Sequence, residues 1–512
     1  MKPHNILFTF TLPAVLTGCM SLPSLENRTV SQYLDVPASP RLAAALTPAQ
    51  AGRADLAPDT SGIYMLNDAH DAFVARATLI NAAEHTLDLQ YYIWHKDVSG
   101  KILFNMLHRA AERGVRVRLL LDDNNTNGLD NILAALDSHP NIEIRLFNPF
   151  LVRKWRALGY LTDFSRLNRR MHNKSLTADN HATIVGGRNI GDEYFNISED
   201  TAFADVDILA TGRVVTEVSE DFDRYWASES AYPFERIVRR ANIEKGRSEL
   251  EISDNDRSQT LARYRRDLEQ SQLFEAIKNN RIQWRHVKTK LVSDDPAKAL
   301  DRTRGKPQIS DKIDEALGTP EKEIYLVSPY FVPTRSGTEA IADLKKQGIG
   351  ITVLTNSLQA TDVAAVHSGY AKYRKPLLKA GVDLYELKAV HAVPKTKDRG
   401  LTGSSSTSLH AKTFIVDRQR VFIGSFNLDP RSARLNTEMG VVIESLPLAQ
   451  DMQRRLVENT PSYAYKVTLD PHGKLQWQDP EDRTVSKKEP EAGFWKRITV
   501  KILSILPIEG LL

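Results

Sequence analysis

The chain has 512 residues, 41% hydrophobic and 26% charged, an ordinary globular composition that excludes general disorder, collagen and coiled coil. At about 150 residues per domain the length suits about three domains and one or two large cores. Lys+Arg 68 against Asp+Glu 64 leaves +4, too little to argue for nucleic acid, and the single cysteine, Cys19, excludes disulfides, Cys-ligated zinc and thiol catalysis from the folded body.

Lys2 precedes a mostly apolar stretch, Ile6 to Leu16, too short to span a bilayer as a mature helix. It ends in Leu16-Thr17-Gly18-Cys19, the form of a bacterial lipobox. Residues 1–18 therefore read as a lipoprotein signal peptide and Cys19 as the lipidation site. Residues 19–61, rich in Pro, Ala and Ser with little periodicity, read as a tether.

The body is a repeat. A predicted helix at 71–84, strand 87–94, helix 101–113 and strands 115–121 and 142–147 recur as helix 310–317, strand 323–331, helix 336–347 and strands 349–354 and 382–387. Short strands alternating with longer helices imply βαβ units on mixed, mainly parallel sheets flanked by helices. The fold class is α/β, with two lobes at about 62–235 and 305–465 related by pseudo-twofold symmetry. Residues 236–304, charged and compatible with helix, read as a connecting segment, and 466–512 as a C-terminal tail.

Each half carries the same chemistry. His172-Asn-Lys174 runs on to Asp179 and then Gly186-Gly187-Arg188-Asn189, and His410-Ala-Lys412 runs on to Asp417 and then Gly424-Ser425-Phe426-Asn427. Both read H-x-K-x4-D-x6-G-[GS]-x-N, a pattern expected by chance about once in six thousand chains of this length. Alternating His and Lys on a strand share a face, so two such strands would bring two imidazoles and two ammonium groups into one cleft. That set suits a phosphodiester. Lys174 and Lys412 would hold the non-bridging oxygens, one histidine would attack phosphorus, and the other would protonate the leaving oxygen. No metal or cofactor is required, because the lysines supply the positive charge. The glycines would allow close backbone approach, and Asn189, Ser425 and Asn427 could donate to phosphate. The near-symmetric residues do not say which histidine attacks.

This doubled motif resembles the phospholipase D superfamily. Tyr91-Tyr92-Ile93-Trp94, Ser328-Pro-Tyr-Phe-Val-Pro333, residues 186–195 and residues 427–438 make the chain most similar to bacterial cardiolipin synthases, particularly their C-type branch. The resemblance covers about residues 60–512. It implies a phosphohistidine-type intermediate, with His172 as nucleophile and His410 as acid/base. It also implies that Asp205 and Glu438 each orient the histidine of the other half. Asp179 and Asp417, though motif members, are expected to tie down local loops. Gly187, where the second copy has Ser425, removes one hydroxyl and should make the halves bind substrate differently.

Plainer roles are expected for other conspicuous residues. Tyr91, Tyr92 and Trp94 read as sheet core, Asp122-Asp123 as loop capping rather than a metal pair, and His181, His367 and His391 as surface or core residues. Residues 494–506 mix bulky apolar side chains with Lys496, Arg497 and Lys501, as in a basic amphipathic segment on an anionic membrane surface.

The reading is a membrane-anchored phosphatidyltransferase, a cardiolipin synthase that passes a phosphatidyl group to phosphatidylglycerol. The donor is phosphatidylglycerol or phosphatidylethanolamine, and the enzyme sits in the bacterial cell envelope facing the periplasm. A phospholipase D hydrolase, a nuclease and a non-catalytic phospholipid-binding lipoprotein are the rivals. Phosphatidic acid without cardiolipin, salt-sensitive DNA cleavage, and full activity of His172→Ala would respectively favour them. No nucleic-acid partner is expected.

Overall fold

The computed structural model describes residues 21–37, 39–46, 59–197, 203–251, 265–266, 268–279, 281–389, 408–507 and 509–512. The signal peptide, Cys19 and His391 lie outside them.

In each half the apolar runs form three parallel strands. In lobe 1 these are β2 (Thr86–Tyr91), β3 (Arg116–Asp122) and β4 (Ile142–Phe147), and in lobe 2 they are β11 (Glu323–Val327), β12 (Gly350–Asn356) and β13 (Asp383–Leu387). All of β2 is buried, as expected for a strand covered on both faces. The helices Ala69–Ala82 and Val98–Glu112 begin at Asp68 and Asp97, whose carboxylates accept backbone N–H groups of the first turn. The second helix buries Leu103, Phe104 and Leu107, each burial stabilising by about 1.5–3 kcal/mol.

The mainly parallel pairing expected from sequence is confined to these triplets; most other strands of the mixed sheet run antiparallel. The cause lies partly in the motifs. β5 (Ser175–Ala178) and β6 (Ala182–Gly186) form one hairpin, and β15 (Thr413–Val416) and β16 (Arg420–Gly424) form the other. Their turns place Asp179-Asn180 and Asp417-Arg418 at positive φ, at 50° and 54° and at 53° and 55°. Such turns reverse the chain within two residues, and Asp and Asn tolerate that backbone best after glycine. Antiparallel pairing is then forced.

The charged connection also differs from expectation. Residues 285–293 form a strand, β10 (Arg285–Ser293), which pairs with β17 (Met439–Glu444) as β1 (Thr60–Leu66) pairs with β8 (Asp207–Gly212). β1 and β10 pair with each other, fusing the lobes into one sheet. Lys288 and Lys290 disguise this strand, yet they alternate with Thr289 and Leu291 in the period of two a sheet requires. A core built from both halves, including Ile63, Val185 and Ile208 with Ile415, Ile423 and Val441, seals the junction.

The described part of the tether is docked rather than free. Buried Arg145 and Arg118 donate to the carbonyls of Thr29 and Ser31 at 2.6 and 2.9 Å, and the helix Pro40–Leu46 buries Leu42 and Leu46. An extended segment thus satisfies guanidinium groups that would be costly to bury unpaired. At the other end, the helix Phe494–Leu503 buries Val500 but leaves Phe494 and Trp495 62% and 76% exposed. The last residues return to lobe 2, where the Leu512 carbonyl accepts from Arg431 N at 2.6 Å.

Candidate active site

Each motif histidine is entered through a parallel bridge to the opposite lobe. Met171 bridges Thr437, and Leu409, in β14 (Ser408–Leu409), pairs with Ala204, in β7 (Phe203–Ala204). His172 N donates to Thr437 O at 2.8 Å, and His410 N to Ala204 O at 2.9 Å. The next residue on each partner segment is an acid, so the bridge sets it against the ring. Glu438 Oε2 lies 2.8 Å from His172 Nδ1, and Asp205 Oδ2 lies 2.5 Å from His410 Nδ1. A carboxylate at Nδ1 fixes the proton there and leaves Nε2 as the basic nitrogen.

Burial and neighbouring lysines set the charges. His172 is pushed down to about 4, first by burial; Glu438 pulls it up, and Lys174 and Lys412 push it down. Burial and Lys412 lower His410 likewise. Lys174 and Lys412 are themselves brought down to about 7 and about 8, chiefly by burial. Burial alone would raise the two acids, but their histidines and the lysines hold both below the usual carboxylate range. Each histidine feels the charge of the lysine of the other half, so the four groups lie near one another. Lys174 Nζ donates to His172 O at 2.5 Å, and Lys412 makes the equivalent bond to His410 O.

Asp179 and Asp417 are not turned to this pocket. Asp179 accepts from the N–H groups of Glu84, His85 and Thr86 at 2.9, 2.8 and 2.8 Å, and Asp417 from those of Glu321, Lys322 and Glu323 at 2.9, 2.7 and 3.0 Å. Both carboxylates anchor the start of a central strand to the motif hairpin. Asp179→Ala should lower stability by about 3 kcal/mol, roughly 1 kcal/mol for each lost bond. Chemical denaturation would measure this loss, and KM of the protein that remains folded should be unchanged.

The expected phosphate ligands divide. Ser425 Oγ donates to Glu438 and so braces the acid. Asn189 takes Ile93 N on its oxygen at 3.2 Å and donates to Tyr194 Oη at 2.8 Å. Asn427 Oδ1 is buried and has no hydrogen-bond partner among the described residues. The glycines approach protein rather than substrate. A Cβ on Gly187 would stand 2.1 Å from Asp205 Oδ1, so a serine like Ser425 cannot fit there. A Cβ on Gly424 would meet the Met439 carbonyl at 2.4 Å.

Several residues with plainer expected roles belong to the site. Tyr91 and Trp94 are buried in the core, but Tyr92, just beyond β2, sets its ring edge-on to His172 at a centroid distance of 5.0 Å. Tyr194 does the same to His410 at 5.3 Å. The strand terminus, where α/β sheets place ligands, was the available signal for Tyr92. Asp122 caps a turn, accepting from Asn124 N, but also accepts from Met171 N at 2.7 Å and pairs with Arg170, which locks the approach to His172. Asp123 pairs with Arg153 at 2.6 Å. His181 and His367 bond Val36 O and Arg374 and lie apart from this constellation.

Two imidazoles, each backed by an acid from the opposite lobe and accompanied by a lysine, form a set chemically able to carry out phosphoryl transfer. The family model described as "Cardiolipin synthase, PLD-like domain" matches residues 77–226 and 313–459, and the chain belongs to that family. It is 49% identical over 480 residues to cardiolipin synthase C of Escherichia coli (strain K12), covering 92% of this chain and 100% of that one. An uncharacterized protein of Helicobacter pylori (strain ATCC 700392 / 26695) is 32% identical, with 88% and 89% covered. Among solved structures, a phosphatidylserine synthase of Haemophilus influenzae Rd KW20 shares the fold, with a TM-score of 0.58 at 15% identity over 88% of this chain and 95% of that one.

Proposed function

We propose that the protein is a phosphatidyltransferase that makes cardiolipin. The observation that carries this reading is the complete pair of cross-lobe His–acid couples in a chain 49% identical to a cardiolipin synthase. His172 Nε2 attacks the phosphorus of a donor phospholipid, either phosphatidylglycerol or phosphatidylethanolamine. The P–O bond to the head-group alcohol breaks, and His410 gives that oxygen a proton. His410 Nε2 then takes the proton of a phosphatidylglycerol hydroxyl, whose oxygen attacks phosphorus and releases His172. Lys174 and Lys412 neutralise the phosphoryl oxygens, to which the Asn427 amide nitrogen can also donate. Asn189 and Ser425 act through Tyr194 and Glu438. Purified protein given vesicles of phosphatidylglycerol and phosphatidylethanolamine should yield cardiolipin; phosphatidic acid alone would replace this reading with a hydrolase.

The membrane attachment belongs to the same proposal. Cys19 carries the lipid, and the protein works at the periplasmic face of the cell envelope. Among the described residues no helix is long and apolar enough to cross a membrane. Exposed Trp155, Leu161 and Phe164 around the helix Arg156–Leu167, and exposed Phe494, Trp495 and Ile505 near the C-terminus, support seating on a bilayer surface.

The pH profile follows from the burial of the site. Attack needs neutral His172, which is lost only as pH falls towards about 4. Binding of a phosphodiester anion needs charged lysines, whose protons leave the empty pocket as pH rises through about 7 and about 8. Departure of the head group also needs protonated His410, which burial holds below the usual histidine value. Hence kcat/KM should be bell-shaped, with an acid limb near 4 from His172 and an alkaline limb that starts with His410 and steepens as the lysines lose their protons. Initial rates on a short-chain phosphatidylglycerol across this span would measure both limbs.

A further inference from the structure

The two lobes cover their sheets unequally. In lobe 1 the helices Ala69–Ala82 and Val98–Glu112 pack against each other, and the second buries seven residues. Their counterparts in lobe 2, Ile309–Leu317 and Thr334–Lys346, flank an open cavity of about 790 Å³. The helix Thr334–Lys346 buries only Thr338, while its Ile341 and Leu344 line the cavity opposite Ile313, Leu326 and Phe414. These walls are apolar, and a volume of this size lies in the range of small-molecule sites, roughly 300–1,000 Å³. Left to water, such a surface is unfavourable.

The position of the cavity says what would cover it. One end runs along Phe426, Leu428 and Asp429, the neighbours of Asn427, and along Phe331, which bridges Leu428. Asp429 is near enough to the catalytic pocket for its charge to act on Lys412. The cavity therefore begins beside Asn427, at the rim of the phosphodiester site, and continues between the two helices of lobe 2. We propose that it is an acyl-chain site: one fatty-acyl chain of the phospholipid lies between the two helices while its phosphodiester sits between the two histidines. This rests on the proposed function and adds to it a subsite for the apolar part of the substrate.

The test uses monomeric short-chain phosphatidylglycerols of increasing acyl length with the full-length protein. Burial of each added methylene is worth about four-fold in affinity, so kcat/KM of the wild type should rise by up to that factor per methylene. At Gly337 an added Cβ meets only the Pro333 side chain, at 3.6 Å, so a larger residue can enter the groove without disturbing the helix. Gly337→Leu and Ile341→Asp, the first filling the groove and the second wetting it, should flatten the length dependence of kcat/KM at least two-fold per methylene. A phosphatidylglycerol with a diazirine at its acyl terminus should label the peptide that contains Ile341 and Leu344 in the wild-type protein. This second readout does not depend on how the variants fold. Unchanged length dependence in both variants, or labelling elsewhere, overturns the acyl site; labelling is also lost if a segment of the protein itself fills the groove. A wild type that turns over no phospholipid of any length instead overturns the proposed function.

Discussion

His172→Gln should abolish turnover by at least about 10⁴-fold, whereas His410→Gln, on a donor whose leaving group needs no proton, should stop the reaction after one chemical step. The two losses are separable because only one histidine bonds to phosphorus. A phosphatidyl donor with a p-nitrophenolate leaving group needs no proton to depart. With it, His410→Gln should release one equivalent of p-nitrophenol in a burst and then stall as a phosphatidyl-histidine enzyme, since nothing remains to deprotonate the incoming alcohol. His172→Gln should show no burst. The reverse pattern would exchange the two roles and leave the site itself intact. Both rings are buried with carboxylates on Nδ1, so each substitution removes an Nε2 from the pocket while glutamine keeps much of the volume.

Glu438→Gln should lower kcat by about 10³–10⁴-fold with little change in KM. The glutamine amide can donate to Nδ1, and the proton of His172 then moves to Nε2, the atom that must attack. The carboxylate that stabilises positive charge on the phosphorylated ring is lost as well. Ser425 offers only its carbonyl, 3.2 Å from His172 Nδ1, which carries no charge to replace the carboxylate. Asp205→Asn should give a similar loss on natural lipids through His410. With the activated donor the two variants should part. Asp205→Asn keeps its burst and Glu438→Gln loses it, a contrast that rapid-mixing absorbance would record. A merely structural role for these acids would impair both bursts alike.

The motif residues were legible because five fixed positions recur in register with the strands. Their partners were less so. Asp205 and Glu438 stand on segments remote from the histidines they touch, and only pairing between lobes brings them together; family resemblance pointed to them, and local pattern did not. The two motif acids, expected to tie down loops, each take three backbone N–H groups at a tight turn. The Asp122–Arg170 pair that steadies Met171 was hidden because a sequence does not show which arginine an acid will meet. Charge disguised β10, whose alternation was the better guide. The N-terminal segment lacked any period because side chains of lobe 1 hold it, rather than a ladder of its own.

The crossed pairing of Met171 with Thr437 and Leu409 with Ala204 makes the two halves hostages to one another. Expressed separately, either half would carry an imidazole stripped of its counter-ion and a carboxylate with nothing to steer. Activity should return only on mixing, and only if the fragments reassemble along the β1–β10 seam.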